Sequence, residues 1–131
     1  MTFSGVDAKA RWGRSELADV LPVAVLDRDD RVELPTGPSA QAVGSHPITA
    51  GLDAHWPPLL GMNEVVAREE SQVLATVAGH PLLVVGSSGQ GRSAAFTSDL
   101  APHWATPAFL EWEGYGAIFD RTVRWLDGAL D

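Results

Sequence analysis

The sequence predicts an α/β domain, and three observations carry that prediction. Short β-type runs crowd the middle of the chain, at 63–68, 72–77, 82–85 and 93–97. A helical stripe closes it: Ile118, Phe119, Val123, Leu126, Ala129 and Leu130 recur with the 3.6-residue period of one helix face, while Asp120, Arg121, Arg124 and Asp127 fall on the other. Between the two, the strand ending at Phe96-Thr97 empties into Ser98-Asp99-Leu100-Ala101-Pro102-His103-Trp104. The carboxyl end of a strand is where open α/β sheets present ligand sites.

Taken in order, residues 1–13 show two glycines and no clear period, the mark of a loop or a strand exit. Ser15 is placed to cap a short helix over Glu16–Val20, with Glu16 near the positive dipole end and Pro22 as the stop. Val23–Leu26 and Arg31–Leu34 read as two strands of a hairpin turned by Asp27-Arg28-Asp29-Asp30. Pro35–Pro47, with three prolines, two glycines and two serines, reads as a surface excursion and not as a central strand. Gly86-Ser87-Ser88-Gly89-Gln90-Gly91 joins the last two strands as an antiparallel hairpin with a longer loop. It lacks the Gly-Lys-Ser/Thr ending of a phosphate-binding loop.

The chain's 131 residues, 45% hydrophobic, suit one domain with a single core. Seventeen acidic residues against nine basic ones give a net charge of −8, and the basic residues are scattered. Nucleic acid and anionic membrane are therefore poor partners, since phosphate binding draws on concentrated positive charge. The absence of cysteine excludes a disulfide framework, a thiolate metal site and a cysteine nucleophile within these residues. No apolar run approaches the ~20 residues that span a bilayer, and Met1-Thr2-Phe3-Ser4-Gly5 does not read as a secretion signal. A cytoplasmic protein without a cofactor is the expectation.

Asp99 and His103 are the candidate catalytic pair. Four residues apart across Leu-Ala-Pro, they can be folded by a tight turn so that the carboxylate orients an imidazole that titrates near neutral pH. The alternative is that Asp99 caps the turn and His103 packs beside Trp104. Ser4 and Ser98 are the candidate nucleophiles, though neither lies in a Gly-x-Ser-x-Gly elbow. Together with Trp104 and Trp112 they make the candidate ligand-binding set. Glu111 and Glu113, which bracket Trp112, read as solvated acids at a helix start. His46, His55 and His80 are too dispersed for a zinc site, and no metal is expected.

Thr2-Phe3-Ser4-Gly5-Val6-Asp7-Ala8-Lys9-Ala10, Val20-Leu21-Pro22-Val23, His46-Pro47-Ile48 before Gly51-Leu52, Trp56-Pro57-Pro58 and the run from Gly91 to Leu126 stand in an order and spacing that resembles the glutamine amidotransferase-like family. That family is related to class I amidotransferases and trehalose-utilisation-type proteins. The resemblance implies the C-terminal half of a flavodoxin-like domain, so that 1–131 is a single, partial domain. The early strands of the parallel sheet, and the turn that carries the nucleophilic cysteine in working amidotransferases, have no counterpart here. What it implies is a non-glutaminase member or remnant acting as a binding or interaction module. The alternative is a hydrolase or lyase working on a small polar substrate through Asp99 and His103. A missing first half would leave a sheet edge and an apolar face open at Phe3, Val23, Val25, Phe96, Ile118, Phe119 and Val123. A C2 homodimer, or a separately encoded first half, is the expected cover.

Overall fold

The computed structural model describes residues 2–131. In chain order its elements are β1 (Val23–Val25), β2 (Arg31–Glu33), β3 (Ser39–Ala42), β4 (His55–Pro58), β5 (Gly61–Asn63), β6 (Val65–Ala67), β7 (Gln72–Val77), β8 (His80–Ser88), β9 (Gly91–Phe96), α1 (Pro107–Leu110) and α2 (Glu113–Leu126). The longest strands arise where the β-type runs are densest. β7, β8 and β9 form a meander, joined first through Ala78-Gly79, whose positive φ angles of 48° and 81° suit a two-residue turn between twisted strands. β3 and β4 extend it on the β7 side, giving the order β4-β3-β7-β8-β9.

Two small ribbons flank this sheet: β1 pairs with β6 and β2 with β5, both antiparallel. The architecture is mixed α/β, strand-rich with a closing helix, and every paired strand among the described residues runs antiparallel to its neighbour.

Burial on both faces explains the composition of β8. Leu82, Leu83, Val84 and Val85 are all buried, as a strand covered on two sides requires. One face packs against Trp56, Ile48, Leu59, Met62, Phe109 and Ile118 in the main core. The other meets Val23, Val65 and Ala95 in a smaller cluster beneath the β1–β6 ribbon. α1 is anchored by Thr106, whose Oγ1 accepts the Phe109 N–H at 3.2 Å and donates to the Pro58 carbonyl at 2.8 Å.

Six expectations are corrected. The 23–26 and 31–34 runs are strands but do not pair with each other. Asp30 is turned inward, fully buried, and its carboxylate accepts the N–H groups of Phe3, Ser4 and Gly5 at 3.0, 2.8 and 2.9 Å. This diverts the turn, and each run finds its own partner in 61–67. The 63–68 run correspondingly splits at Glu64, whose N–H donates to the Asp30 carbonyl. The proline-rich excursion contains β3, an internal strand bonded to both β4 and β7, because its prolines fall outside the four residues that pair.

Ser15 flanks a 3-10 turn over Glu16–Asp19 without capping it, its hydroxyl donating back to Trp12 O at 2.7 Å. α2 is rotated relative to the expected stripe. Gly114, Ile118 and Thr122 form its buried line, Val123 is 61% exposed, and Arg121 reaches in to the Ile48 and Ala50 carbonyls. The β8–β9 connection is also tighter than expected, two residues at Gly89-Gln90. At the surface, the Arg31 guanidinium grips Asp29 through both oxygens and holds its carboxyl down at about 2.

Candidate functional site

The site begins where β9 ends. Thr97 is buried and its hydroxyl donates to Pro81 O at 2.9 Å; Ser98 is 8% exposed and its Oγ donates to Gly61 O at 2.7 Å. These bonds fix the strand exit, and Asp99 then turns the chain. One oxygen of its carboxylate accepts the Trp104 N–H at 3.0 Å and stands 2.8 Å from His103 Nδ1. A carboxylate partner places the proton of the neutral ring on Nδ1 and leaves Nε2 as its acceptor. The Asp99 side chain is 15% exposed and that of His103 68%. Tyr115 pins the outer part of the turn, its hydroxyl donating to Leu100 O at 2.8 Å.

The turn forms one rim of a groove of about 680 Å³. Ala94 and Phe96 of β9 line its floor, Phe119 and Leu126 of α2 one wall, and Phe3 and Trp12 the other. Phe96 is held edge-on by Phe119 at 5.2 Å between ring centroids, and Phe3 by Trp12 at 5.7 Å. Ser98, Asp99 and His103 bring most of the polarity to this otherwise apolar channel. Volume and character match a site for an apolar body with few polar anchors.

The sequence-predicted residues do not all gather here. Asp99, His103 and Ser98 do. Trp104 is 4% exposed and lies behind the rim, its ring 5.3 Å from that of His103 and its Nε1 donating to Glu33 at 3.1 Å. Both readings of the Asp99 turn therefore hold at once: Asp99 serves the turn and the imidazole, and His103 packs on Trp104. Ser4 is buried away from the groove, its hydroxyl donating to Leu26 O at 2.7 Å beside a separate cleft of about 50 Å³. Trp112 belongs to the core, tilted against Trp56 at 5.5 Å and Phe109 at 6.2 Å.

His46 sits 5.4 Å from the Trp125 ring, and burial, with Arg92 nearby, pushes its pKa below the ordinary value. Among the described residues no three of His, Cys, Asp and Glu group closely enough to hold a metal ion. Sequence reasoning missed Trp12 as a groove wall and Glu33 as the partner of Trp104, since neither lies in a local pattern.

A family model described as "Putative glutamine amidotransferase" (GATase1-like) matches residues 1–128. The chain belongs to this family. Two solved structures extend the comparison. The "Cytoplasmic Protein STM1381 from Salmonella typhimurium LT2" is 46% identical with a TM-score of 0.90, over 95% of this chain and 51% of that one. The "Cytoplasmic Protein STM3548 from Salmonella typhimurium" is 43% identical with a TM-score of 0.90, over 95% of this chain and 50% of that one. This glutamine amidotransferase-like chain thus spans about half the length of the solved relatives it matches. No curated protein matches it. None of its described helices is long and apolar enough to cross a membrane.

Proposed function

We propose that the chain is a non-glutaminase member of the glutamine amidotransferase-like family acting in the cytoplasm as a binding or interaction module, the C-terminal half of a flavodoxin-like domain. The observation that supports this most is the groove over β9: a mainly apolar channel whose polar lining is Ser98, Asp99 and His103 at the turn together with Thr2 and Thr122. Such a channel suits an apolar partner surface better than a small polar substrate. Glutamine hydrolysis through a thioester needs a thiol, and the sequence has none. The hydroxyls of Ser98 and Ser4 are both directed at backbone carbonyls, so neither is poised for attack beside His103.

A second reading has its own support. The 2.8 Å Asp99–His103 contact beside an open groove is the geometry of a general base, and a water at Nε2 would make the pair a hydrolase or lyase centre. Ammonia release from glutamine by the purified chain decides the first point: none above a heat-killed control is expected, and measurable release overturns the module reading. A screen of small esters and amides, with His103→Ala as control, decides the second. Turnover that disappears in the variant would establish the acid-base pair.

A further inference from the structure

Acids outnumber bases in this chain seventeen to nine, so a basic side chain with no partner stands out. Lys9, Arg28, Arg31, Arg92 and Arg124 each pair with an acid, and Arg68 and Arg121 donate to backbone carbonyls. The guanidiniums of Arg11 and Arg14 have neither kind of partner among the described residues. Both line one cleft, the separate cleft of about 50 Å³ that Ser4 borders.

The turn that carries them is fixed in place. The Arg14 N–H donates to Arg11 O at 3.0 Å and the Ser15 N–H to Trp12 O at 3.1 Å, closing a 3-10 turn over Trp12–Arg14. Gly13 lets this turn press on β1, since a Cβ there would stand only 3.2 Å from that of Val25. Arg11 sits at φ 57°, a left-handed value that costs a non-glycine residue energy and persists where the surroundings impose it.

The rest of the polar lining supplies acceptors. Asp27 brings an exposed carboxylate, and the Ser4 hydroxyl, its proton spent on Leu26 O, offers only a lone pair. A guanidinium fork matches carboxylate and phosphate alike, but Asp27 repels a phosphate dianion. With two positive charges and one negative around the cleft, a monoanion neutralises it, and an added ammonium would be repelled by the arginines. The volume, set against ~30 Å³ for one water in the liquid, admits a single small headgroup.

We propose that this cleft binds a small 2-hydroxy acid. The carboxylate lies against Arg11 and Arg14, the adjoining hydroxyl donates to Asp27, and the remainder of the molecule points to solvent. The site is separate from the groove over β9, so it stands or falls independently of the module reading.

The test is titration of the ¹⁵N-labelled chain with glycolate at constant ionic strength, read at the Gly13 amide and the Arg11 and Arg14 Nε–H signals. Saturable shifts are expected. Acetate, which lacks the hydroxyl, and Arg14→Gln, which removes a charged donor, should each weaken binding by about tenfold. The Arg14→Gln melt should match that of the parent, because the side chain has no partner to lose. Asp27→Asn keeps an acceptor but removes the repulsion, so it should retain glycolate and gain affinity for inorganic phosphate. Arg124→Gln, on α2, should change nothing at these signals. The proposal is overturned if glycolate gives no saturable shift, if acetate and phosphate match it in the parent chain, or if Arg14→Gln binds it as the parent does.

Discussion

The β4 side and the β9 side of the sheet use similar aromatic material to opposite ends. On the β4 side, Trp56 is 1% exposed and is covered by Trp112, with Phe109 of α1 behind it. On the β9 side, Phe96 also meets two rings, Phe109 and Phe119, yet it remains part of the groove floor. The difference lies in closure and not in hydrophobicity. Prolines and a capped helical turn finish one side, whereas a polar turn at Asp99 lifts the chain off the other and leaves it accessible. An edge left uncovered in this way marks where a molecule expects company.

That contrast can be broken most forcefully on the closed side. Trp56→Ala should cost about 3–5 kcal/mol, the usual loss for a large buried aromatic, whereas Phe96→Ala on the open side should cost less than half as much in the isolated chain. Urea midpoints of the two variants check this, and equal losses would erase the distinction between the sides. Gly61→Ala comes next. A Cβ there runs into the Trp104 indole, which is itself held by Glu33, so overpacking should cost about 1–3 kcal/mol by the same measurement.

Smaller effects sharpen the picture at the groove rim. Asp99→Ala should lose about 1 kcal/mol, because the Trp104 N–H loses its acceptor, while Asp99→Asn should lose distinctly less since the amide oxygen can still accept. If both variants melt like the parent, the turn does not depend on Asp99.

The smallest effect expected is one of pH. The unfolded His46 takes up its proton near 6.5, whereas the folded ring, partly buried and with its Nδ1 accepting the Ile48 N–H, resists it. Stability should therefore be flat above about pH 6.5 and decline below it as the unfolded state binds the extra proton. His46→Asn, which retains an acceptor but does not titrate, should remove this component of the decline in thermal melts from pH 7.5 to 5.

Local pattern made part of this legible in the sequence. Gln72–Val77 is β7 to the residue, the 82–85 and 93–97 runs fall within or beside β8 and β9, and the closing helix forms over Glu113–Leu126, ending before Ala129 and Leu130 of the expected stripe. The proximity of Asp99 and His103 is legible for the same reason, since one turn of chain brings them together. What escapes is non-local. The choice of partners for β1 and β2 depends on where Asp30 is drawn from 25 to 27 residues away. The rotation of α2 depends on Thr122, a polar residue that helix patterning assigns outward, but whose hydroxyl donates to Ile118 O at 2.7 Å and is thereby satisfied inside. Ser4 and Ser98 read as available because a sequence cannot show which carbonyl a hydroxyl will find.

The buried Asp30 carboxylate has a consequence for how the chain tolerates cutting. Three backbone N–H groups, those of Phe3, Ser4 and Gly5, hold it. Losing Phe3, Ser4 and Gly5 would leave a buried acid without those three donors, and such a group recovers hydration by opening the corner between β2 and β6. The opening residues thus work as a latch. A cut after Gly5 would release far more of the molecule than the short segment it severed.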